Sequence, residues 1–323
     1  MPSTEFPAHA GAGVSVRPLR EGDLEAADVI MRTAFGTFLG VPEPVTVFGD
    51  VKYVQPRFTA APDWAFAAER DGEIVGSNFV TRWGSFGFFG PITVRPDSWG
   101  QGIASLLMRP VMDLFEKWQV RQAGLFTFPQ SPQHIGLYQK FGFWPQYLTP
   151  LMDKPVSPVT EAHGYTTYSE TPEVERDGVV RGCFEVTNAI FNGLDVAHEI
   201  RSTHAQGLGD TVLLQGDAEL LGFAVCHCGA GEAGSGACYI KFGAVRPGAD
   251  APEIFERLLD ACEDLAGKRG LERMVAGANA ARHDACRRLL ARGYRTWLEG
   301  VIMQKPDEPG YCRPDTYVID DLR

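Results

Sequence analysis

The chain has 323 residues, of which 44% are hydrophobic and 22% charged, and this is the composition of an ordinary globular protein. A formal net charge of −11 argues against nucleic acid as the main partner, and no apolar run is long enough to span a membrane. The seven cysteines form no regular framework, which suits a reducing cytoplasm, so the sequence predicts a cytoplasmic protein of about two domains.

The first elements of the chain predict the start of an α/β domain. Residues 1–13 are small and polar enough to form a flexible tail. Residues 14–19 alternate like an edge strand. A helix is then predicted from Asp23, a candidate N-cap, to about Phe35.

A hairpin is predicted next. Residues 64–70 and 73–82 have strand composition, and the Asp71-Gly72 pair between them is a strong turn signal. Three aromatic side chains that follow the hairpin are predicted to lie in the core, and these are Phe86, Phe88 and Phe89.

A strand, a glycine turn and a helix follow one another from residue 92 onwards. Gly100 and Gly102 stand where the helix begins, and the helix is apolar with a 3.6-residue period. The N–H groups of a first helical turn have no partner inside the helix, and the helix dipole adds partial positive charge there. Two glycines let a phosphate approach these N–H groups, so the turn predicts a phosphate cradle. A tight turn without a ligand is the alternative.

A second informative segment, residues 131–143, reads Ser-Pro-Gln-His-Ile-Gly-Leu-Tyr-Gln-Lys-Phe-Gly-Phe. With Val94-Arg-Pro and the Gly-Gln-Gly turn before it, this segment resembles the two signature blocks of the GNAT superfamily of N-acetyltransferases, in the family's order. The sequence departs from the family pattern at three positions. Asp97 stands where the family usually has Gln or Arg, and Ser131 and His134 stand at its Asn and Ala positions.

The resemblance implies a mixed α/β fold and direct transfer of an acetyl group from acetyl-CoA to a primary amine of a small molecule or a peptide. The central strand would pair with the pantetheine arm, and the Ile92 N–H would polarise the thioester carbonyl. The glycine turn and the helix start would hold the pyrophosphate, and Ser131 could bond the pantetheine. The residues assigned to acetyl-CoA on this basis are Ile92, Thr93, Val94, Trp99, Gly100, Gln101, Gly102, Ile103, Ala104, Ser105 and Ser131.

The resemblance also places Tyr138 at the family's general-acid position, where a phenol protonates the departing thiolate. Packing of a half-buried tyrosine against Phe143 is the alternative. The family's general base is often a glutamate on the central strand, but residues 86–94 contain no carboxylate. His134 is a candidate base because imidazole titrates near neutrality, and a surface or capping role is its alternative.

Two function classes therefore stay open. The first is the N-acetyltransferase, with acetyl-CoA and a small amine as partners. The second is a catalytically weak acyl-CoA-binding or regulatory protein, which the Asp97 change and the missing base allow. Residues 36–63 correspond to a region that covers the acceptor site in the family, and packing of their aromatic side chains on the core is the alternative. A homodimer is left open.

The second half of the chain repeats the first. Val94-Arg-Pro recurs as Val245-Arg-Pro, and Gly142-Phe recurs as Gly293-Tyr, in both cases 151 positions later. The repeat predicts a tandem GNAT protein with domains at residues 14–154 and 165–323, joined by a linker at residues 155–164. Each domain is expected to be a twisted mixed sheet flanked by helices.

The second domain is predicted to have lost the phosphate cradle. At the same spacing of 151, Gly100 becomes Ala251, Gly102 becomes Glu253 and Tyr138 becomes Leu289. Glu253 would put negative charge where a pyrophosphate would bind. The second domain is therefore predicted to be structural or to shape the acceptor site.

Two weaker patterns remain in the second half. Cys226, Cys228 and Cys238 have ligand chemistry but not the spacing of common zinc sites, so they are predicted to be buried thiols and no metal is predicted. Residues 317–323 alternate like a short strand. They are expected to pair with a sheet edge or to reach the site of the other domain.

Overall fold

The structure is a computed structural model that describes residues 13–157, 164–217 and 219–323. The predicted tail lies outside these residues except for Gly13, and the predicted linker lies outside them except for residues 155–157 and Gly164. The chain divides into two compact units. Unit 1 comprises Met1–Thr81 and Phe89–Gln119, and unit 2 comprises Arg82–Phe88 and Val120–Arg323.

The described ranges contain fourteen strands and eight α-helices. The strands are β1 (Val14–Pro18), β2 (Ala65–Arg70), β3 (Glu73–Trp83), β4 (Phe86–Phe89), β5 (Thr93–Val94), β6 (Gln122–Thr127), β7 (Trp144–Pro155), β8 (Tyr165–Thr167), β9 (Gly209–Gln215), β10 (Leu220–Gly229), β11 (Gly234–Val245), β12 (Arg273–Gly277), β13 (Arg295–Lys305) and β14 (Val318–Ile319). The helices are α1 (Leu24–Leu39), α2 (Val54–Ala60), α3 (Ile103–Trp118), α4 (Pro132–Gln139), α5 (Arg176–Ile190), α6 (Ala197–Ala205), α7 (Ala251–Lys268) and α8 (His283–Ala291). None of the helices in these ranges is long and apolar enough to cross a membrane.

Unit 1 is an antiparallel sheet with a helix on each face. The strand order is β1–β2–β3, and the short β5 pairs with β3. Successive residues of a strand point to opposite faces, so Ala67 packs with α1 while Ala68 packs with α3. The Asp71-Gly72 turn has positive φ at both residues, 52° and 84°, as the predicted two-residue hairpin requires.

Unit 2 contains a nine-stranded sheet in the order β4–β6–β13–β7–β12–β11–β10–β9–β8, with β14 paired to β11. One face packs on α5 and α6, and the other on α7 and α8. The predicted core phenylalanines Phe86 and Phe88 are fully buried here, as is Phe89 in unit 1. The predicted mixed α/β fold is confirmed.

Two strands of unit 2 exchange places between the repeats. The strands β6 and β12 are 151 positions apart, and so are β7 and β13. Each repeat could pair its own strands, but β6 pairs with β13 and β12 pairs with β7. The two compact units consequently do not coincide with the two predicted domains. The domain boundaries at residues 154 and 165 remain a prediction about the repeat.

The pattern Asp-x-Glu-x-x-Gly occurs in both hairpins, at residues 71–76 and 217–222, and its glycine lies against a neighbouring strand. A Cβ on Gly76 would lie 2.5 Å from the Thr93 carbonyl oxygen, and a Cβ on Gly222 would lie 2.9 Å from that of Ala244. Both distances are shorter than side chains tolerate, so only glycine lets the neighbouring strand approach this closely. The glycine thus positions the central strand in each half.

Candidate cofactor-binding and active site

The start of α3 in unit 1 is an open helix N-terminus. Gly100 and Gly102 both have left-handed backbone conformations, with φ of 75° and 78°, which glycine adopts without steric cost. Gly102 is the N-cap residue, and glycine has no side chain with which to cap the helix. A Cβ on Gly100 would meet no described atom within 4 Å, so the space before the helix is open. The N–H groups of the first turn, residues 103–105, therefore present positive partial charge to a ligand.

Side chains of unit 1 hold the loop before α3 in place. Arg70 on β2 donates to the Gln101 amide oxygen at 2.7 Å, and the Gln101 amide nitrogen donates to the Asp97 carbonyl at 3.3 Å. The Trp99 indole N–H donates to the Val94 carbonyl at 2.7 Å. These bonds tie the glycine turn to the sheet, and preorganisation of this kind lowers the entropic cost of binding.

Asp97 brings a negative charge to the same loop. Its carboxylate accepts hydrogen bonds from Arg95 and from the Ser98 hydroxyl, each at 2.9 Å. The Arg95 hydrogen bond, followed by the Ser98 hydrogen bond, holds the pKa of Asp97 below its usual range. The carboxylate is therefore ionised at neutral pH, and Arg95 offsets its charge locally.

The backbone of β5 presents alternate groups to its two sides. The Arg95 N–H donates to the Val75 carbonyl of β3 at 2.8 Å, and Thr93 lies opposite Ser77 of β3. Because strand groups alternate, the N–H and carbonyl groups of Ile92 and Val94 point away from β3. Ile92 itself lies just outside the strand, which has only two residues and not the predicted three.

Tyr138 lies in unit 2, near the end of α4, and is 6% exposed. Burial raises the pKa of its phenol well above the usual value, and a hydrogen bond with Thr127 opposes this only in part. The phenol therefore keeps its proton at neutral pH. This is the protonation state that a general acid needs.

Ser131 and His134 occupy the first turn of α4. The Ser131 hydroxyl oxygen accepts from the His134 N–H at 3.3 Å, so this serine is the N-cap of the helix. Its own O–H remains able to donate to a ligand. Burial lowers the pKa of His134, which favours the neutral imidazole.

The equivalent positions of the second half have a different structure. The helix α7 already begins at Ala251, one turn earlier than α3 in the alignment of the repeats, and Glu253 lies in its first turn. Leu289 replaces Tyr138 and is fully buried. Arg282 replaces Ser131 at the start of α8, and it is also fully buried. The spacing of 151 leads from Ser131 to Arg282, but no feature of the sequence marks this arginine as functional.

The cysteines of the second half are free thiols. Cys226 and Cys262 have their sulfurs 3.7 Å apart, and those of Cys228 and Cys238 are 3.8 Å apart. Burial and neighbouring thiols raise the pKa of Cys228, and the hydrogen bond to Cys238 is the largest cause. Among the described residues no group of three or more His, Cys, Asp or Glu side chains could hold a metal ion.

Comparison with known protein families gives a match within the first half of the chain. Residues 39–143 match the acetyltransferase (GNAT) family. The sequence matches that of no curated protein.

Solved structures share the fold over nearly the whole chain. A proposed acetyltransferase from Pyrococcus horikoshii has a TM-score of 0.66 and 18% identity, with 98% of this chain and 95% of that chain covered. A GCN5-related N-acetyltransferase from Sphaerobacter thermophilus has a TM-score of 0.55 and 16% identity, with 93% and 96% covered. A tandem GNAT protein from the clavulanic acid biosynthesis pathway has a TM-score of 0.55 and 13% identity, with 90% and 98% covered.

Proposed function

Because the chain contains a domain of the GNAT acetyltransferase family and has the fold of a tandem GNAT protein, we propose that it transfers an acetyl group from acetyl-CoA to the primary amine of a small molecule. Acyl transfer from an acyl-CoA is the general activity of the family. The choice of acetyl-CoA, of an amine acceptor and of the residues below is our proposal.

The open N-terminus of α3 is the observation that carries this proposal. Gly100 and Gly102 put no Cβ beside the first-turn N–H groups, and the N-cap glycine has no side chain to cap them. An anion at this position gains charge-assisted hydrogen bonds and the helix dipole. We assign the pyrophosphate of acetyl-CoA to residues 99–105, and the pantetheine arm to residues 92–94 and to the Ser131 hydroxyl.

The proposed chemistry uses one backbone N–H group and two side chains. The Ile92 N–H, which points away from β3, is assigned to the thioester oxygen, where negative charge develops during attack by the amine. Tyr138 is assigned as the acid that protonates the leaving thiolate, because the resemblance places it at the general-acid position and its phenol carries a proton at neutral pH. His134 is the candidate base, since its lowered pKa leaves a neutral imidazole to accept the ammonium proton.

Titration calorimetry with acetyl-CoA, combined with a thiol-release assay against a panel of primary amines, tests the proposal. We expect one acetyl-CoA bound per chain and release of CoA that depends on the amine. Two equivalent sites per chain, or none, would contradict the assignment of the cradle to α3. Tight binding without turnover on any amine would favour the catalytically weak acyl-CoA-binding protein instead.

A further inference from the structure

Each half of the chain contains one parallel strand pair, and the two pairs have the same register. In the first half, β4 pairs in parallel with β6 through Phe86↔Gln122 to Phe88↔Gly124. In the second half, β11 pairs in parallel with β12 through Ala237↔Arg273 to Tyr239↔Val275. These pairs are equivalent at the spacing of 151. In both halves the parallel pairing covers three residue pairs and then stops.

In the second half a segment of the chain itself takes over where this pairing stops. The strand β14 pairs with β11 through Gly243↔Ile319 and Ala244↔Val318, and Asp320 forms a parallel bridge with Ala278, just after β12. Residues 318–320 therefore lie between β11 and the end of β12. These residues are fully buried.

The backbone groups of β11 that bind β14 are equivalent in the repeat to those of residues 92 and 94, which we assigned to the pantetheine arm. The Arg246 N–H donates to the Leu221 carbonyl of β10 at 2.7 Å, just as Arg95 bonds Val75 of β3. Alternation then turns the groups of Gly243 and Val245 toward β14, and the Val245 N–H donates to the Tyr317 carbonyl at 3.2 Å. Gly243 stands at the position of Ile92 in the repeat, and Val245 at that of Val94.

The residue at the Ser131 position also binds this segment. Arg282 donates to the Val318 carbonyl at 3.1 Å, and its guanidinium lies 2.8 Å from the Asp320 carboxylate. Neither side chain of this ion pair is exposed, so each charge has the other as its buried counter-ion. The segment thus contacts the equivalents of both elements to which we assigned the pantetheine arm.

We propose that residues 317–320 are an internal ligand that occupies a second acyl-pantetheine cleft, retained from the ancestral repeat and closed by the chain itself. The proposal rests on the assignment of residues 92–94 and Ser131 to the pantetheine arm. Pantetheine carries two amides in an extended chain, so a β-strand can satisfy the same backbone groups. The second half would therefore remain able to bind an acylated pantetheine whenever this segment leaves.

A cleavable form of the full chain tests the proposal. A protease site is inserted after Pro314, which is exposed, and the folded protein is cut so that residues 315–323 stay bound without a covalent link. The substitution Gly102→Glu is included to remove binding at α3. Exchange of the segment is followed with a fluorescent synthetic peptide of residues 315–323, and S-acetylpantetheine is the competing probe.

We expect the probe to compete with the peptide. At ten times its own Kd the probe should raise the apparent Kd of the peptide about elevenfold, as simple competition requires. Arg282→Ser should weaken the peptide by roughly 10²-fold or more, because Asp320 loses its buried partner. A peptide Kd that does not change up to the solubility limit of the probe would overturn the proposal.

A second experiment uses the uncut chain, so that the proposal can be tested even if the cleaved protein unfolds. In Asp320→Asn the ion pair is weakened with little change of shape, and hydrogen exchange at residues 317–320 should become faster when S-acetylpantetheine is added. Exchange that is unaffected by the probe would overturn the proposal. Failure of the proposed function is distinguishable, since it would appear as absent acetyl-CoA binding by the unmodified chain in calorimetry, whatever the outcome of the peptide competition.

Discussion

The helices that follow the two central strands begin differently, although they are equivalent in the repeat. Before α3, two glycines adopt left-handed conformations and the first turn is uncapped. Before α7, the corresponding residues are already helical and carry Glu253. Beside the strands, residues 92 and 94 turn backbone groups away from β3, whereas Gly243 and Val245 pair with the chain's own residues 317–319. The sheet and the helices are thus kept although the glycine turn is absent from the second half and the backbone groups of its central strand are already paired.

The largest expected effect is on catalysis, and it tests whether Tyr138 distinguishes the two halves chemically. Tyr138→Phe removes one oxygen and little packing. We expect kcat to fall by roughly 10²–10⁴, the usual contribution of general acid catalysis, with the affinity for acetyl-CoA almost unchanged. Steady-state kinetics and calorimetry measure the two quantities.

The matched control for this variant is Tyr294→Phe, because Tyr294 is also buried in unit 2. It should leave kcat unchanged. A Tyr138→Phe enzyme with full activity would show that this tyrosine only packs in the core, as its counterpart Leu289 does.

The next effect concerns the internal segment of the second half. Asp320→Ala leaves the Arg282 charge buried without its partner, so we expect a loss of about 3–5 kcal/mol in the free energy of unfolding. Urea unfolding measures this loss. In the control Asp315→Ala, the carboxylate is 79% exposed and 3.5 Å from Arg313, and the change should stay within about 0.5 kcal/mol. Equal effects of the two variants would contradict a specific role for the buried pair.

The third effect tests the glycine turn before α3 by giving residue 102 the glutamate that the second half has at the equivalent position. Gly102→Glu should weaken acetyl-CoA binding by about 10²-fold, because it costs one or two hydrogen bonds to a charged group of about 1.5–3 kcal/mol each. Gly102→Ala separates backbone strain from charge and should cost only about 1–2 kcal/mol of stability, since φ is positive here. Glu253→Gly should create no second site, because residues 317–320 remain in place. Calorimetry that finds unchanged affinity in Gly102→Glu would locate the cradle elsewhere.

The smallest effect is a pH dependence of stability. It compares Lys154 and Lys305, which are 151 positions apart and therefore equivalent in the repeat. Lys154 is buried, 2.6 Å from the Glu263 carboxylate, whereas Lys305 is exposed and donates to the Phe141 carbonyl. Burial alone would raise the pKa of Glu263, but hydrogen bonds from Lys154 and the Ser157 N–H hold it below its usual range. The folded state therefore favours the ionised carboxylate. Its stabilising contribution is present above the ordinary glutamate pKa, about 4.3, and is lost as the pH falls through the lower folded value.

Urea unfolding from about pH 6 to about pH 3 tests this sign. The stability difference between the unmodified protein and Glu263→Gln should shrink as the pH falls. Lys305→Met should shift stability by less than about 0.5 kcal/mol at every pH. If this stability difference instead grew toward low pH, the folded state would favour the protonated carboxyl group of Glu263, and the prediction would be wrong.

Much of the first half could be predicted because its signals are local. The Asp71-Gly72 turn and the glycines before α3 specify backbone conformations by themselves, and the structure places them as expected. The helix after Gly102 carries a clear period and extends from Ile103 to Trp118. The predicted helix at Asp23 also forms, although its side chain does not cap α1 and instead accepts hydrogen bonds from Arg17 and the Arg20 N–H.

Strand partners could not be predicted in the same way, because they depend on contacts distant in sequence. The strands β7 and β13 are equivalent in the repeat, so periodicity cannot say which of them pairs with β6. Residues 317–323 read as a short strand, but nothing local indicated that their partner would be β11. The role of Arg282 could not be predicted for the same reason, since the carbonyl group to which it donates lies 36 residues away at Val318. The division into two compact units follows from this exchange of strands between the repeats, so local sequence signals could not predict it either.

The exchange of β7 and β13 has a consequence for how the chain can be divided into fragments. A fragment of residues 1–157 has β6 without its neighbour β13, and a fragment of residues 164–323 has β12 without its neighbour β7. Each fragment would therefore either expose unpaired strand edges, which invite aggregation, or have to pair its own two strands with each other. Neither repeat keeps its present strand partners without the other. Each repeat thus supplies a structural strand to the other, whatever chemistry it carries itself.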